Sequence, residues 1–138
     1  MLRGLHYQKD PFALGKLVRC AAGEIFDVAV DLRAGSPSFG KWVGVNLSSR
    51  ANGMIYVPPG FAHGFCVLSE TADVMYKMTG YLSRDHDRAV RWDDPDIGVA
   101  WPVLEPVLSA RDREASRLND ADVNFRYRDR GTTGGLLL

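Results

Sequence analysis

Apolar and polar residues alternate in short runs along most of the chain, and turn residues cut those runs at near-regular intervals. A repeat of two is what a strand with one buried face produces, so each run predicts a strand. Residues 16–20 form one run, which stops before Gly23, and residues 24–31 form the next, alternating well in its second half. Gly35-Ser36-Pro37 breaks the chain ahead of residues 41–47. Asn52-Gly53 is a turn dipeptide leading into residues 54–57, which Pro58-Pro59-Gly60 ends. Residues 64–68, 73–79 and 88–92 complete the set. Many short strands without intervening helices predict an all-β sandwich or barrel. Only residues 109–118 read as a helix, with Ser109 as its N-cap. Residues 126–138 read as a flexible tail, which leaves residues 1–125 as a single domain.

Composition narrows the class. The chain has 138 residues, 46% hydrophobic and 25% charged, which suits one soluble globular domain. Lys+Arg and Asp+Glu both number 17, so no bulk charge draws the protein to nucleic acid or to an anionic membrane. No apolar run is long enough to span a bilayer, and the first residues do not form a signal peptide. Cys20 and Cys66 lie inside apolar runs without metal-ligand spacing, and they read as buried free thiols in a reducing cytoplasm. Met1 falls almost directly on the polar cluster around His6. Either an early segment has been lost or a partner subunit covers the exposed edge.

Few residues could carry chemistry. His6 lies in Arg3-Gly4-Leu5-His6-Tyr7-Gln8, where the bland reading is a ring satisfied by a neighbouring strand. A proton-transfer reading needs a carboxylate to orient it. His63, in Pro58-Pro59-Gly60-Phe61-Ala62-His63-Gly64, sits in a PxGxxH turn that resembles the second motif of cupin barrels. No His-x-His accompanies it and His86 lies in a charged loop, so a three-histidine metal site is disfavoured. His63 is then either a structural turn residue or a donor to an anionic ligand. Alternation puts Tyr76 on the apolar face with Val74 and Met78, as a core phenol or a general acid, and Lys77 towards water. Lys16 is a surface lysine or an oxyanion stabiliser at a pocket mouth. Asp112 follows Ser109 at capping-box spacing. Asp27 shares a face with Ile25, Ala29 and Asp31 and is either solvated or lines a pocket. Trp92 and Trp101 read as packing elements, and no P-loop, GxGxxG or GxSxG is present.

Several ordered blocks are more specific. Residues 2–8 (LRGLHYQ), 15–19, 23–33, 35–40, 58–65 and 91–95 together resemble the dTDP-4-dehydrorhamnose 3,5-epimerase family, in order, over residues 2–118. The resemblance implies a cupin-type jelly roll, a homodimer, and catalysis without metal or organic cofactor. It implies a dTDP-linked 4-keto-6-deoxy sugar as substrate, inverted at C3 and C5 on the way to a deoxysugar for polysaccharide or glycosylated metabolites. By resemblance His6 is the base, Asp112 the carboxylate that orients it, Tyr76 the acid and Lys16 the group facing the C4 oxygen. Arg3, His63 and Arg111 match positions near substrate and diphosphate, and Asp87 a position usually held by Glu near the nucleotide. These roles replace the cap reading of Asp112. The chain departs from the pattern in lacking the segment that usually precedes LRGLHYQ, in Leu82 where a second tyrosine is common, and in Arg111 where lysine is usual. A C3- or C5-only epimerase, a ketoisomerase and a silent sugar-nucleotide-binding cupin are the alternatives.

Overall fold

The structure is a computed structural model and describes residues 1–129. Eight strands run in the order β1 (Leu2–Gln8), β2 (Lys16–Ala22), β3 (Glu24–Asp31), β4 (Trp42–Ser48), β5 (Met54–Val57), β6 (Phe61–Val67), β7 (Asp73–Met78) and β8 (Asp87–Ala89). They form an antiparallel five-stranded sheet, β4-β3-β6-β1-β8, and a three-stranded sheet, β5-β2-β7. This is the sandwich expected from the strand pattern, in the jelly-roll form that the family resemblance implies, with no closed barrel among the described residues. The predicted runs fall on β2 to β7. The last run falls on β8 and its continuation: Val90 still exchanges backbone hydrogen bonds with Leu5 of β1 and also bridges Ser116 on its other side.

β1 escapes the alternation rule. Its buried apolar residues are Leu2, Leu5 and Tyr7, an uneven spacing that period two does not produce. The cause is an irregularity in its pairing with β6, described below.

Two apolar clusters hold the sandwich. Val18, Cys20, Ile25, Leu47 and Phe65 pack together across the two sheets at one end. The other face of the five-stranded sheet presents Leu5, Tyr7, Val28 and Val30, and the chain after β8 wraps over it with Ile97, Leu118 and Phe125. Trp92 and Trp101 are packing residues in this wrap: the Trp101 indole N–H donates to the Trp92 carbonyl at 2.8 Å. Cys20 and Cys66 are both buried free thiols.

The predicted helix is shorter than its sequence suggested. Only α1 (Ala110–Arg113) and a 3-10 turn at Leu118–Asp120 are helical. The segment has no apolar stripe to dock, and two residues past the Glu114 C-cap Ser116 bridges Val90 and accepts the Arg91 N–H at 2.9 Å, which holds the chain extended; Asp94 then takes the Leu118 N–H at 2.6 Å. At the expected start of the flexible tail, Arg126 bridges Ala34 and the Tyr127 N–H donates to the Ala34 carbonyl at 2.9 Å. Residues 130–138 lie outside the described residues.

Candidate active site

Next to the inter-sheet apolar cluster, whose Phe65 forms part of its wall, the two sheets enclose an open cavity of about 430 Å³. Arg3, His6, Lys16, His63, Tyr76, Asp87 and Arg111 all line it, so the fold brings seven of the eight expected site residues to one place. The eighth, Asp112, stands behind His6. A second cavity of about 500 Å³ adjoins the first, sharing Arg3, His6 and Arg111.

One bulge sets the floor. On β6, His63 and Phe65 are two residues apart and so share a face; their partners on β1, His6 and Arg3, are three apart. β1 thus carries one residue more than β6 between these pairs, which turns both Arg3 and His6 towards the cavity. In a regular strand they would face opposite ways. Gly4 permits the bulge at φ +127°, a region that side chains rarely adopt. A Cβ there would lie 2.5 Å from the Gly64 Cα, so the two strands cross glycine on glycine.

Asp112 is almost fully buried and its carboxylate bonds His6 Nε2. The backbone N–H of the same residue donates to Ser109 Oγ at 3.1 Å. The cap expected from the sequence therefore exists, and it aims Asp112 rather than competing for its side chain. Arg111 beside it pairs with Asp87 of β8 at 2.7 Å, fixing α1 to the sheet edge. Since Nε2–H donates to Asp112, the Nδ1 of a neutral His6 carries the lone pair. Burial holds this imidazole below its ordinary 6.5; Asp112 opposes that, while Arg111 and Lys16 add to it. The ring is consequently neutral near pH 7, as a base must be.

The facing sheet supplies the remaining groups. Lys16 on β2 is partly buried, and desolvation lowers its ammonium from the ordinary 10.5, against the attraction of Asp87 and Asp27. Tyr76 on β7 faces the cavity, as strand alternation predicts, though it remains half-exposed rather than buried in a core. Desolvation, with the Asp27 charge, pushes its phenol up to about 12, so it holds its proton at neutral pH. Its ring stands edge-on to His63, with centroids 5.9 Å apart.

Two contributors were not assigned from sequence. Asp27 is fully buried and receives His63 Nε2–H on both oxygens, at 3.0 and 2.8 Å, so it is not the solvated residue that the sequence left open. Period two left the face of Asp27 open, and only the register of β3 against β6 brings it beside His63. Gln8 is the other: its amide donates to the Phe12 carbonyl at 2.7 Å and accepts from the Ser83 N–H at 2.9 Å. It thereby pins the loop that carries Leu82 to the cavity rim. Among the described residues, no group of three or more His, Cys, Asp or Glu side chains is placed to hold a metal, and no helix is long and apolar enough to cross a membrane.

An antiparallel sandwich with an acid–base cavity at its open end is a cupin-type jelly roll. The family profile described as dTDP-4-dehydrorhamnose 3,5-epimerase matches residues 1–120, and the chain belongs to that family. It is 53% identical over 122 residues to a dTDP-4-dehydrorhamnose 3,5-epimerase of Shigella flexneri, covering 88% of this chain and 67% of that protein. A Streptomyces niveus dTDP-4-dehydrorhamnose 3-epimerase is 37% identical over 121 residues, covering 88% of this chain and 58% of that protein. Among solved structures, a dTDP-6-deoxy-D-glucose-3,5-epimerase of Legionella pneumophila in complex with dTDP-4-keto-L-rhamnose superposes with a TM-score of 0.86 at 47% identity, covering 92% of this chain and 69% of that one. The chain thus spans about two thirds of the length of the relatives it matches.

Proposed function

We propose that the protein is an isomerase that inverts C3 and C5 of a dTDP-linked 4-keto-6-deoxyhexose, converting dTDP-4-dehydro-6-deoxyglucose to dTDP-4-dehydrorhamnose. The observation that carries this reading is the placement of a neutral, carboxylate-oriented imidazole on one sheet and a protonated phenol on the other, both lining one cavity. Inversion at a carbon needs a base and an acid on opposite sides of it, and two sheets of a sandwich provide opposite sides. The greater identity to the 3,5-epimerase than to the 3-epimerase favours action at both carbons.

The C4 ketone acidifies the hydrogens on C3 and C5. His6 Nδ1 takes one of them, the C–H electron pair moves into a C=C bond, and the carbonyl oxygen becomes an enolate oxygen. Lys16 meets that charge as it forms, an interaction stronger in the transition state than in the ground state. Tyr76 gives its phenolic proton to the other face of the carbon and is reprotonated from water, while His6 loses its proton to solvent. Arg3 and Arg111 suit the diphosphate, as planar forks that pair two oxygens at once. His63 and Asp87 complete the substrate contacts. No cofactor takes part in this scheme. The protein acts as a homodimer, and its buried free thiols fit the reducing cytoplasm.

Incubation with dTDP-4-keto-6-deoxyglucose in D₂O, followed by NMR, tests the reading. Deuterium at C3 and C5 is expected. Label at one carbon only replaces it with a regiospecific epimerase, and no label in folded protein overturns it.

A further inference from the structure

His63, at the cavity wall, forms a second imidazole–carboxylate pair, and the scheme above leaves its carboxylate, Asp27, without a task. Asp27 is fully buried on β3, and among the described residues its carboxylate accepts hydrogen bonds from one nitrogen, His63 Nε2. His63 is itself buried, and its ring meets the Tyr76 ring edge-on. Phe65, the direct cross-strand partner of Asp27, also packs against Tyr76, with centroids 6.5 Å apart. The carboxylate therefore lies beneath the two rings on which the phenol rests. A buried charge is costly unless its partners repay it, and one imidazole N–H is a small return. Such a charge at the wall of a cavity calls for an explanation in what it does to its neighbours.

We infer that Asp27 is a positioning residue for the acid side of the reaction: it fixes His63 with Nε2 protonated and Nδ1 free, and keeps a negative charge behind Tyr76 and Lys16. The inference rests on the epimerase reading for its kinetic arm only. Asp27 and Arg3 are the charges that act on the Tyr76 phenol, and Asp27 favours the protonated form where Arg3 opposes it. On Lys16, Asp87 and Asp27 favour the ammonium and Arg111 opposes it. One carboxylate thus supports two different proton-bearing groups, both of which the reaction needs in their protonated state.

Asp27→Asn removes the charge and keeps the shape. In the ligand-free protein, ¹⁵N NMR of the histidine rings is expected to show the His63 proton on Nε2, and to show it redistributed between the two nitrogens in Asp27→Asn. This readout stands whatever the substrate is. With the dTDP-4-keto sugar, net inversion is expected to fall about tenfold more than C–H exchange into D₂O, and the alkaline limb of the rate profile to move down by about one pH unit, a tenfold change in proton affinity. Equal losses of exchange and inversion with an unmoved alkaline limb would mean that Asp27 is only structural. An unchanged His63 tautomer would overturn the positioning role directly. If Asp27→Asn does not fold, His63→Gln separates the two parts: it keeps Asp27, so the alkaline limb is expected to stay in place. A shift of that limb in His63→Gln would overturn the assignment of the charge to Asp27.

Discussion

Gly4 and Gly64 touch where β1 crosses β6, and no side chain fits between them: a Cβ on Gly4 would stand 2.5 Å from the Gly64 Cα and 2.9 Å from the His63 carbonyl. The contact keeps the bulge that turns Arg3 and His6 to the same side. Gly4→Ala adds left-handed strain to an overpacked crossing, each roughly 1–3 kcal/mol, for a total of about 2–6 kcal/mol. A urea titration is expected to show a lower midpoint with an unchanged slope. The surviving folded fraction is expected to exchange substrate protons more slowly, because His6 is re-aimed.

Asp112→Asn separates chemistry from folding. The α1 cap uses the backbone N–H of residue 112, so it survives the change, and circular dichroism is expected to match the parent. Turnover is expected to drop by roughly 10²–10⁴-fold, the range for a general base that loses its support.

The acid limb gives an independent check on the same pair. Burial sets the His6 pKa below 6.5, so activity in the parent is expected to fall only as pH drops beneath that value. Asp112 is the group that raises the His6 value, and its neutralisation is expected to move the limb to still lower pH while the maximum rate falls. A limb that rises instead would show that another residue is titrating.

Asp31 governs stability rather than turnover. Burial alone would raise its pKa, but Arg33, Ser36 and Ser38 donate to the carboxylate and hold it well below the usual carboxylate range. A depressed folded value means that its contribution is complete well above 3.8 and is lost as pH falls through 3.8 towards the folded value. Asp31→Asn at pH 7 is expected to cost about 3 kcal/mol, the lower end for a broken buried pair because Arg33 is partly solvated. Between pH 4 and pH 2, the variant's denaturation midpoint is expected to vary less than the parent's.

Gln8→Ala cuts the ties to Phe12 and Ser83 that hold the Leu82 loop at the rim. The reacting groups stay on their strands. KM is therefore expected to rise several-fold while kcat changes less than twofold, measured by initial rates over a range of substrate concentrations.

The sandwich was legible because strands with one buried face write their period into the sequence, and seven of the eight overlap a run read from it. β1 did not, since its bulge turns the spacing of buried residues into Leu2, Leu5, Tyr7. The helix was overextended because residues 109–118 are rich in helix formers, while the chain just past its end is held extended by pairing of Ser116 with Val90 and Arg91, which are distant in sequence. Among site residues, Tyr76 stood on a face that alternation could name. The partners of His6 and His63 could not be read that way. Asp112 is 106 positions from His6 and Asp27 is 36 from His63, and nothing in local spacing records such contacts. For Asp112, family resemblance supplied the missing link. For Asp27, it took the register of two strands.

The 106 positions between His6 and Asp112 also have a meaning in time. Synthesis adds about 5–20 residues per second, so the imidazole leaves the ribosome's active centre roughly 5–20 s before the carboxylate that orients it. Throughout that interval the nascent sheet lacks the wrap that supplies Asp112, Leu118 and Phe125. The last quarter of the chain thus seals the outer face of the sheet and arms the base in a single docking event, and a half-made copy has no working acid–base pair.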